Sequence, residues 1–344
     1  MKVKQFFAVV INLVLICLTG VACKADKIHE QGETASGNTL IVDENENSKI
    51  MPAKSFSSFE NNGDVVICWG DSLTEGMSMK RGYNYPLQLQ GNLNGQYKVL
   101  NAGVPGETSN AISSRANVID VVLTNDIVFE EGINSVDLNR EFLSTAQGEV
   151  ITYNGFGQNL KLNKILIGGE LFDIVFKNGA TWDNGIYTLV RKNADAKQIL
   201  RKGTAAKFDY SEQYKNAYCY VILMGANDKG VTTEELIERY KNLGQNSDKQ
   251  IYIIPYFTEK NVAEMFKAAF GDNALDIRDY FVNNAHKDYD LEVTRLDQWG
   301  IKSGVVPATF RLKNSKTDVH LNEIGYKVMA DQVYKKGVEL GYWK

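Results

Sequence analysis

Cysteine and histidine are the scarce residues of this chain, four and three among 344. Cys17 and Cys23 lie at the N-terminal apolar stretch; Cys68 and Cys219 sit inside apolar runs and read as core thiols. Four cysteines so placed give no disulfide framework. No Cys/His pair has metal-ligand spacing, so neither a metal nor another cofactor is expected. A basic block is also lacking. The net charge is −4 with both signs intermixed, which argues against a nucleic-acid partner. His29 falls in a polar segment near the N-terminus, so only His286 and His320 remain for acid–base work near neutral pH.

The chain opens with two lysines among its first four residues, followed by an almost wholly apolar run from Phe6 to Leu18. That run is short for a membrane span and ends in Thr19-Gly20-Val21-Ala22-Cys23, the small-residue end of a secretory signal. A cysteine directly after small residues resembles a bacterial lipoprotein signal. The resemblance implies residues 1–23 as leader and Cys23 as the lipidated first residue of an exported, membrane-anchored protein, periplasmic or at the cell surface. Gly20 stands where that motif usually has leucine. An ordinary secreted protein with an incidental Cys23 is the alternative. Residues 24–63 are rich in Glu, Asp, Asn, Ser and Lys. They hold too little apolar surface to offset ordering entropy, and read as a flexible tether.

The organising stretch follows. Val65-Val66-Ile67-Cys68-Trp69 is a β-branched apolar run that reads as a buried strand, and Gly70-Asp71-Ser72 ends it in a turn. Open α/β sheets bind ligands at the carboxyl ends of their strands, which makes Ser72 a candidate nucleophile. Three more stretches stand downstream: Asn101-Ala102-Gly103-Val104-Pro105-Gly106-Glu107-Thr108-Ser109, then Gly225-Ala226-Asn227-Asp228, then Asp318-Val319-His320-Leu321-Asn322. In this order the four resemble the GDSL, or SGNH, family of serine hydrolases, over residues 64–122 and 217–344. The resemblance implies Ser72 as nucleophile and His320 as base. It also implies an oxyanion hole of the Ser72 N–H, the Gly106 N–H and the Asn227 side-chain amide. The simpler alternatives are that Gly106 serves only its turn, that Asn227-Asp228 caps the next helix, and that His320 is a satisfied histidine beside the last helix. Asp71 reads as a structural hydrogen-bonder.

The acid departs from the family pattern. The family usually has aspartate three residues before the histidine, where this chain has Thr317; Asp318 stands two before. Asp318 is the acid expected here, with Asp297 as substitute or a Ser–His dyad supported by backbone carbonyls as alternatives.

Helical spacing covers Tyr85–Leu93, Asn110–Val122, Thr232–Leu243, Val262–Phe270 and Asn322–Leu340. Strand-like runs cover Tyr97–Ala102, Ala217–Met224, Gln250–Phe257 and Leu275–Phe281, and Asn283–Thr317 reads as a loop-rich passage. Alternation of this kind predicts an α/β fold, a three-layer doubly wound parallel sheet of the SGNH-hydrolase or flavodoxin-like type. Its halves are residues 64–123 and 217–344. Roughly a hundred residues intervene, too many for a structureless loop. Runs at Leu160–Ile167, Leu171–Lys177 and Ile186–Arg191 are separated by Asn154-Gly155, Gly168-Gly169, Asn178-Gly179 and Asn184-Gly185. Such pairs are strong hairpin signals. Residues 124–216 are therefore expected to form an inserted antiparallel β-domain, a meander closed into a small barrel or sandwich. Its aromatics Phe156, Phe172, Phe176, Trp182 and Tyr187 either fill that domain's core or offer a sugar-stacking platform.

The sequence thus leads to an exported serine esterase working through an acyl-serine intermediate, with an acylated small molecule or glycan as partner. O-deacetylation of a glycan is the leading expectation. A lipase-like or lysophospholipase-like esterase, and a glycan-binding surface protein with a decayed site, are the alternatives.

Overall fold

The computed structural model describes residues 65–76, 83–153, 164–177, 185–209, 214, 216–313 and 319–343. The leader with Cys23, the tether, and the turn pairs Asn154-Gly155 and Asn178-Gly179 lie outside the described residues, as do Phe156 and Trp182.

Strands from both sides of the inserted segment form one parallel sheet. Its strands are β1 (Val65–Gly70), β2 (Lys98–Gly103), β13 (Cys219–Leu223), β14 (Gln250–Ile253) and β15 (Ala274–Leu275), in the order β15-β14-β13-β1-β2. Every neighbouring pair is parallel. Counted among themselves these strands run 2-1-3-4-5, the flavodoxin-like order, with the switch point between β1 and β13.

Strand alternation sorts the side chains into two cores. Val66, Cys68, Cys219, Val221, Leu223, Ile251 and Ile253 face one layer of helices. That layer includes α2 (Tyr85–Asn92), α6 (Ile277–Asn283) and α9 (Glu323–Glu339). Val65, Ile67, Trp69, Tyr220, Ile222 and Tyr252 face α3 (Ser109–Arg115), α4 (Thr233–Gly244) and α5 (Lys260–Phe270) on the other side. The run β1 is apolar at every position because both faces are covered. Cys68 and Cys219 are free and fully buried, and burial pushes both thiols well above their ordinary range.

The middle of the chain forms its own antiparallel sheet. It contains β3 (Val121–Leu123), β5 (Ser135–Leu138), β6 (Leu143–Thr145), β7 (Val150–Ile151), β8 (Ile165–Ile167), β9 (Glu170–Lys177), β10 (Ile186–Val190) and β12 (Ala205–Phe208). A two-stranded ribbon of β4 (Ile127–Phe129) and β11 (Gln198–Leu200) accompanies it. Gly168 and Gly169, both with positive φ, make the tight β8–β9 turn. Only β8, β9 and β10 follow one another as a meander. The full order is β5-β10-β9-β8-β12-β3-β6-β7, so the described sheet ends at β5 and β7 rather than closing as a barrel. Phe172, Phe176 and Tyr187 are buried in the core of this unit, so these three offer no sugar-stacking platform.

Three further expectations change. Val121 and Val122 are strand, not the end of a helix; α3 stops at Arg115 and Asn117 turns the chain with positive φ. Leu275–Phe281 is mostly helix, because Asp276 accepts from the Asp279 N–H at 3.0 Å and caps α6. The passage after Asn283 also holds α7 (Ala285–Asp288), α8 (Arg295–Ser303) and a 3-10 turn at Ala308–Phe310.

Tyr240 of α4 shows how the second helical layer holds the strand ends. Its hydroxyl accepts from the Met224 N–H at 2.8 Å and lies 3.0 Å from the Met224 carbonyl, both buried. Tyr240→Phe leaves that N–H without its acceptor and should cost about 1–3 kcal/mol. A urea midpoint lowered at constant slope is the expected readout; an unchanged midpoint would refute the assignment.

Candidate active site

Ser72, Gly106, Asn227 and His320 gather around the carboxyl ends of β1, β2 and β13. β1 ends at Gly70, and Asp71 caps the short helix α1 (Ser72–Glu75). Asp71 Oδ1 accepts from the Leu73 N–H at 2.9 Å, and its carbonyl accepts from Thr74 at 3.2 Å and Glu75 at 2.9 Å. These contacts cover three N–H groups of the turn; that of Ser72, first in the helix, has no intrahelical acceptor. Ser72 is 7% exposed, and its Oγ lies 2.9 Å from Nε2 of His320.

His320 is held from both sides. Its carbonyl accepts from the Leu312 N–H at 2.8 Å, and the Val319 carbonyl accepts from the Tyr256 hydroxyl at 2.9 Å. Asn322 caps α9 by accepting from Gly325 and donates from Nδ2 to the Thr309 carbonyl at 2.8 Å. His320 therefore sits on a braced segment at the N-terminal end of α9, against the serine.

Gly106 stands in a turn over Val104–Glu107, closed by Glu107 N–H to the Val104 carbonyl at 3.3 Å. Pro105 precedes it and its φ is 78°, the arrangement of a type II turn. The turn's own bond uses the N–H of Glu107, not that of Gly106. Asn227 approaches the same loop from the end of β13, donating from Nδ2 to the Glu107 carbonyl at 3.0 Å. Thr232, not Asn227 or Asp228, caps α4, forming a capping box with Glu235. Asp228 instead clamps α3, accepting from the Ser109 N–H at 2.8 Å and its hydroxyl at 2.6 Å.

The two candidate acids part company. Thr317 and Asp318 lie outside the described residues. Asp297 is not in a loop but in the first turn of α8, fully buried. It accepts from Thr294 N–H and Oγ1 at 3.0 and 2.6 Å, and from Thr309 N–H and Oγ1 at 2.8 Å each. His286 Nε2 stands 3.4 Å from the same carboxylate. Burial pushes the Asp297 carboxyl up, but those hydrogen bonds override it and hold it down at about 2. Asp297 is thus committed to Thr294 and to Thr309 of the 3-10 turn rather than to His320. Thr294 three residues before Asp297, the spacing of a capping box, was the sequence signal for this role.

The Asp71 carboxyl is strongly displaced. Burial pushes it from 3.8 to about 7, the Leu73 and Ala226 backbone N–H groups pull it down, and Asp228 and Glu107 raise it further. The folded state therefore binds this proton more tightly than the unfolded chain. The resulting stabilisation is complete below about 4 and is lost as pH rises to about 7. Asp71→Asn keeps a cap acceptor but cannot ionise. Urea midpoints at pH 4.5 and pH 7.5 should fall with rising pH more in the parent than in this variant; equal pH slopes would overturn the assignment.

No protein-family model matches the chain, and no curated protein matches it. Among solved structures it is similar to a candidate lipolytic protein of the G-D-S-L family from Desulfitobacterium hafniense DCB-2. The two are 13% identical with a TM-score of 0.39, over 79% of this chain and 99% of that one.

Proposed function

We propose that the chain is a serine esterase that acts through an acyl-Ser72 intermediate. The observation that carries this reading is the 2.9 Å contact of Ser72 Oγ with His320 Nε2 at the carboxyl ends of the parallel strands. A serine hydroxyl is a poor nucleophile until a base takes its proton, and imidazole does so near neutral pH. His320 Nε2 accepts that proton as Oγ attacks the ester carbonyl. The negative charge that develops on the carbonyl oxygen falls to the N–H groups of Ser72 and Gly106 and the Asn227 amide. Preorganised donors of this kind are worth roughly 3 to 4 kcal/mol each. Collapse expels the alcohol, which takes the proton from His320. Water then repeats the sequence on the acyl-enzyme and frees Ser72. Asp318 is the acid we assign to the far imidazole nitrogen, where it fixes the tautomer and stabilises the cation.

The substrate we favour is an O-acetylated glycan. An exported, surface-anchored enzyme meets polymers, and the inserted β-unit touches α3, where Asn110 Nδ2 hydrogen-bonds Glu149 between β6 and β7. Ser72→Ala should abolish hydrolysis of p-nitrophenyl acetate while leaving the melting temperature nearly unchanged. Asp318→Ala should lose about 10⁴ in turnover, on the scale of a lost triad acid, whereas Asp297→Ala should show chiefly in the melting temperature. Turnover that survives Ser72→Ala in a host-esterase-free preparation would refute the serine mechanism. Preference for long acyl chains over acetyl would move the substrate to the lipase-like class.

The anchor belongs to the same proposal. A basic start, a short apolar run and Val21-Ala22-Cys23 support lipidation at Cys23, with residues 24–63 as stand-off. Cys23→Ser should move the protein from the membrane fraction to the soluble one; retention in the membrane would count against the lipoprotein reading.

A further inference from the structure

Beneath the Val104–Glu107 turn lies a buried ion pair that the chemistry above does not use. Glu107 and Arg115 have no exposed surface. Arg115 Nε lies 3.2 and 3.1 Å from the two carboxylate oxygens, and Nη2 donates to Oε2 at 2.8 Å. The same Nη2 donates to the Ala102 carbonyl of β2 at 2.7 Å, and the guanidinium stands 5.2 Å from the centre of the Trp69 ring of β1. One side chain thus ties α3 and the turn to the two strands that carry the site. The Glu107 backbone carbonyl, in turn, is the acceptor for Asn227 Nδ2.

Stability alone accounts poorly for such a pair. Desolvating two charges offsets much of their attraction, and apolar residues of similar volume often serve as well or better. A guanidinium fork does something that apolar packing does not: it fixes direction as well as distance. In an oxyanion hole direction matters, since a displacement near 1 Å can cost about a hundredfold in rate.

We propose that Glu107 and Arg115 are positioning residues of the oxyanion hole. The pair sets the turn that carries the Gly106 N–H and, through the Glu107 carbonyl, aims the Asn227 amide. Of the two hydrogens on Asn227 Nδ2 one is committed to Glu107, which leaves the direction of the other determined by that bond. The inference rests on the serine-esterase reading.

Three variants test it on p-nitrophenyl acetate: Glu107→Gln, Arg115→Lys, and the charge-free pair Glu107→Gln with Arg115→Met. Melting temperature is measured beside kcat and KM. Glu107→Gln should lower kcat about 10- to 100-fold with KM nearly unchanged, as expected when an interaction made in the transition state is lost. In an Asn227→Ala background the same substitution should cost several-fold less, because part of what it positions is gone. The charge-free pair, which buries no lone charge, should recover the melting temperature and still show the low kcat. If kcat recovers with the melting temperature, the pair is structural only and the inference fails. It fails equally if KM rises at constant kcat, or if the loss is the same with and without Asn227. A Glu107→Gln chain that does not fold leaves the charge-free pair and Arg115→Lys to decide. Activity that persists in Ser72→Ala would instead sink the esterase reading; activity that needs Ser72 and ignores the pair sinks only the positioning role.

Discussion

The close approach of three strand ends governs this molecule. A Cβ on Gly103 would stand 2.3 Å from the Glu75 nitrogen and 2.7 Å from the Asp71 carbonyl oxygen. One on Gly70 would stand 2.1 Å from Thr74 Oγ1 and 2.4 Å from the Leu223 carbonyl oxygen. No side chain fits at either place. Because both are glycine, α1 can lie directly over the end of β2, and the ends of β1 and β13 can come together beside it. The Val104 N–H then reaches the Gly70 carbonyl at 3.0 Å, so the turn after β2 is joined to the strand before Ser72. The serine and the Val104–Glu107 turn owe their relation to main chain, which has little freedom to relax.

That crowding has an electrostatic cost. Asp71, Glu107 and Asp228 gather under one small region, and two of them are fully buried. Each is handled differently. Glu107 meets Arg115 at 2.8 Å. Asp228 accepts two hydrogen bonds from Ser109, whose hydroxyl also accepts from Arg239 at 2.7 Å. Asp71 has no cation and holds its proton up to about 7. Three carboxyl groups drawn so close raise one another's cost of ionising, and at Asp71 burial adds to it.

The parallel half of the fold was legible because its signal is physical and local. Strands covered on both faces must be continuously apolar, as Val65–Trp69 and Cys219–Leu223 are. The four polar stretches then follow from where such strands end. The errors have equally local causes. Leu275, Ile277 and Phe281 alternate like a strand, but Asp276 caps and Arg278 is buried beside them, so the helix prevails. The passage after Asn283 hid α8 because its start signal, Thr294 with Asp297, is a capping box rather than an apolar stripe. Strand order in the antiparallel sheet was not legible at all. Turn residues fix which neighbours form hairpins, as Gly168-Gly169 does, but nothing local tells β12 to pair with β3.

That long-range pairing explains how a unit of this size can interrupt a parallel-sheet fold. Its incoming strand β3 and outgoing strand β12 are hydrogen-bonded neighbours, with Val121 opposite Ala206. Just before β3, Asn117 clasps Phe208 at both its N–H and carbonyl, at 2.9 and 2.8 Å. The chain therefore leaves and returns at nearly one place. To the parallel sheet the whole unit has the geometry of a short crossover between β2 and β13, whatever its contour length. The attachment is also selective. Ala111 of α3 enters the core of the antiparallel unit, and Ser114 and Tyr153 share a buried hydrogen bond of 2.6 Å. Arg115 on the same helix turns the other way, to Glu107 and the strands. One helix of two turns thus holds the inserted sheet on one side and the Gly106 loop on the other.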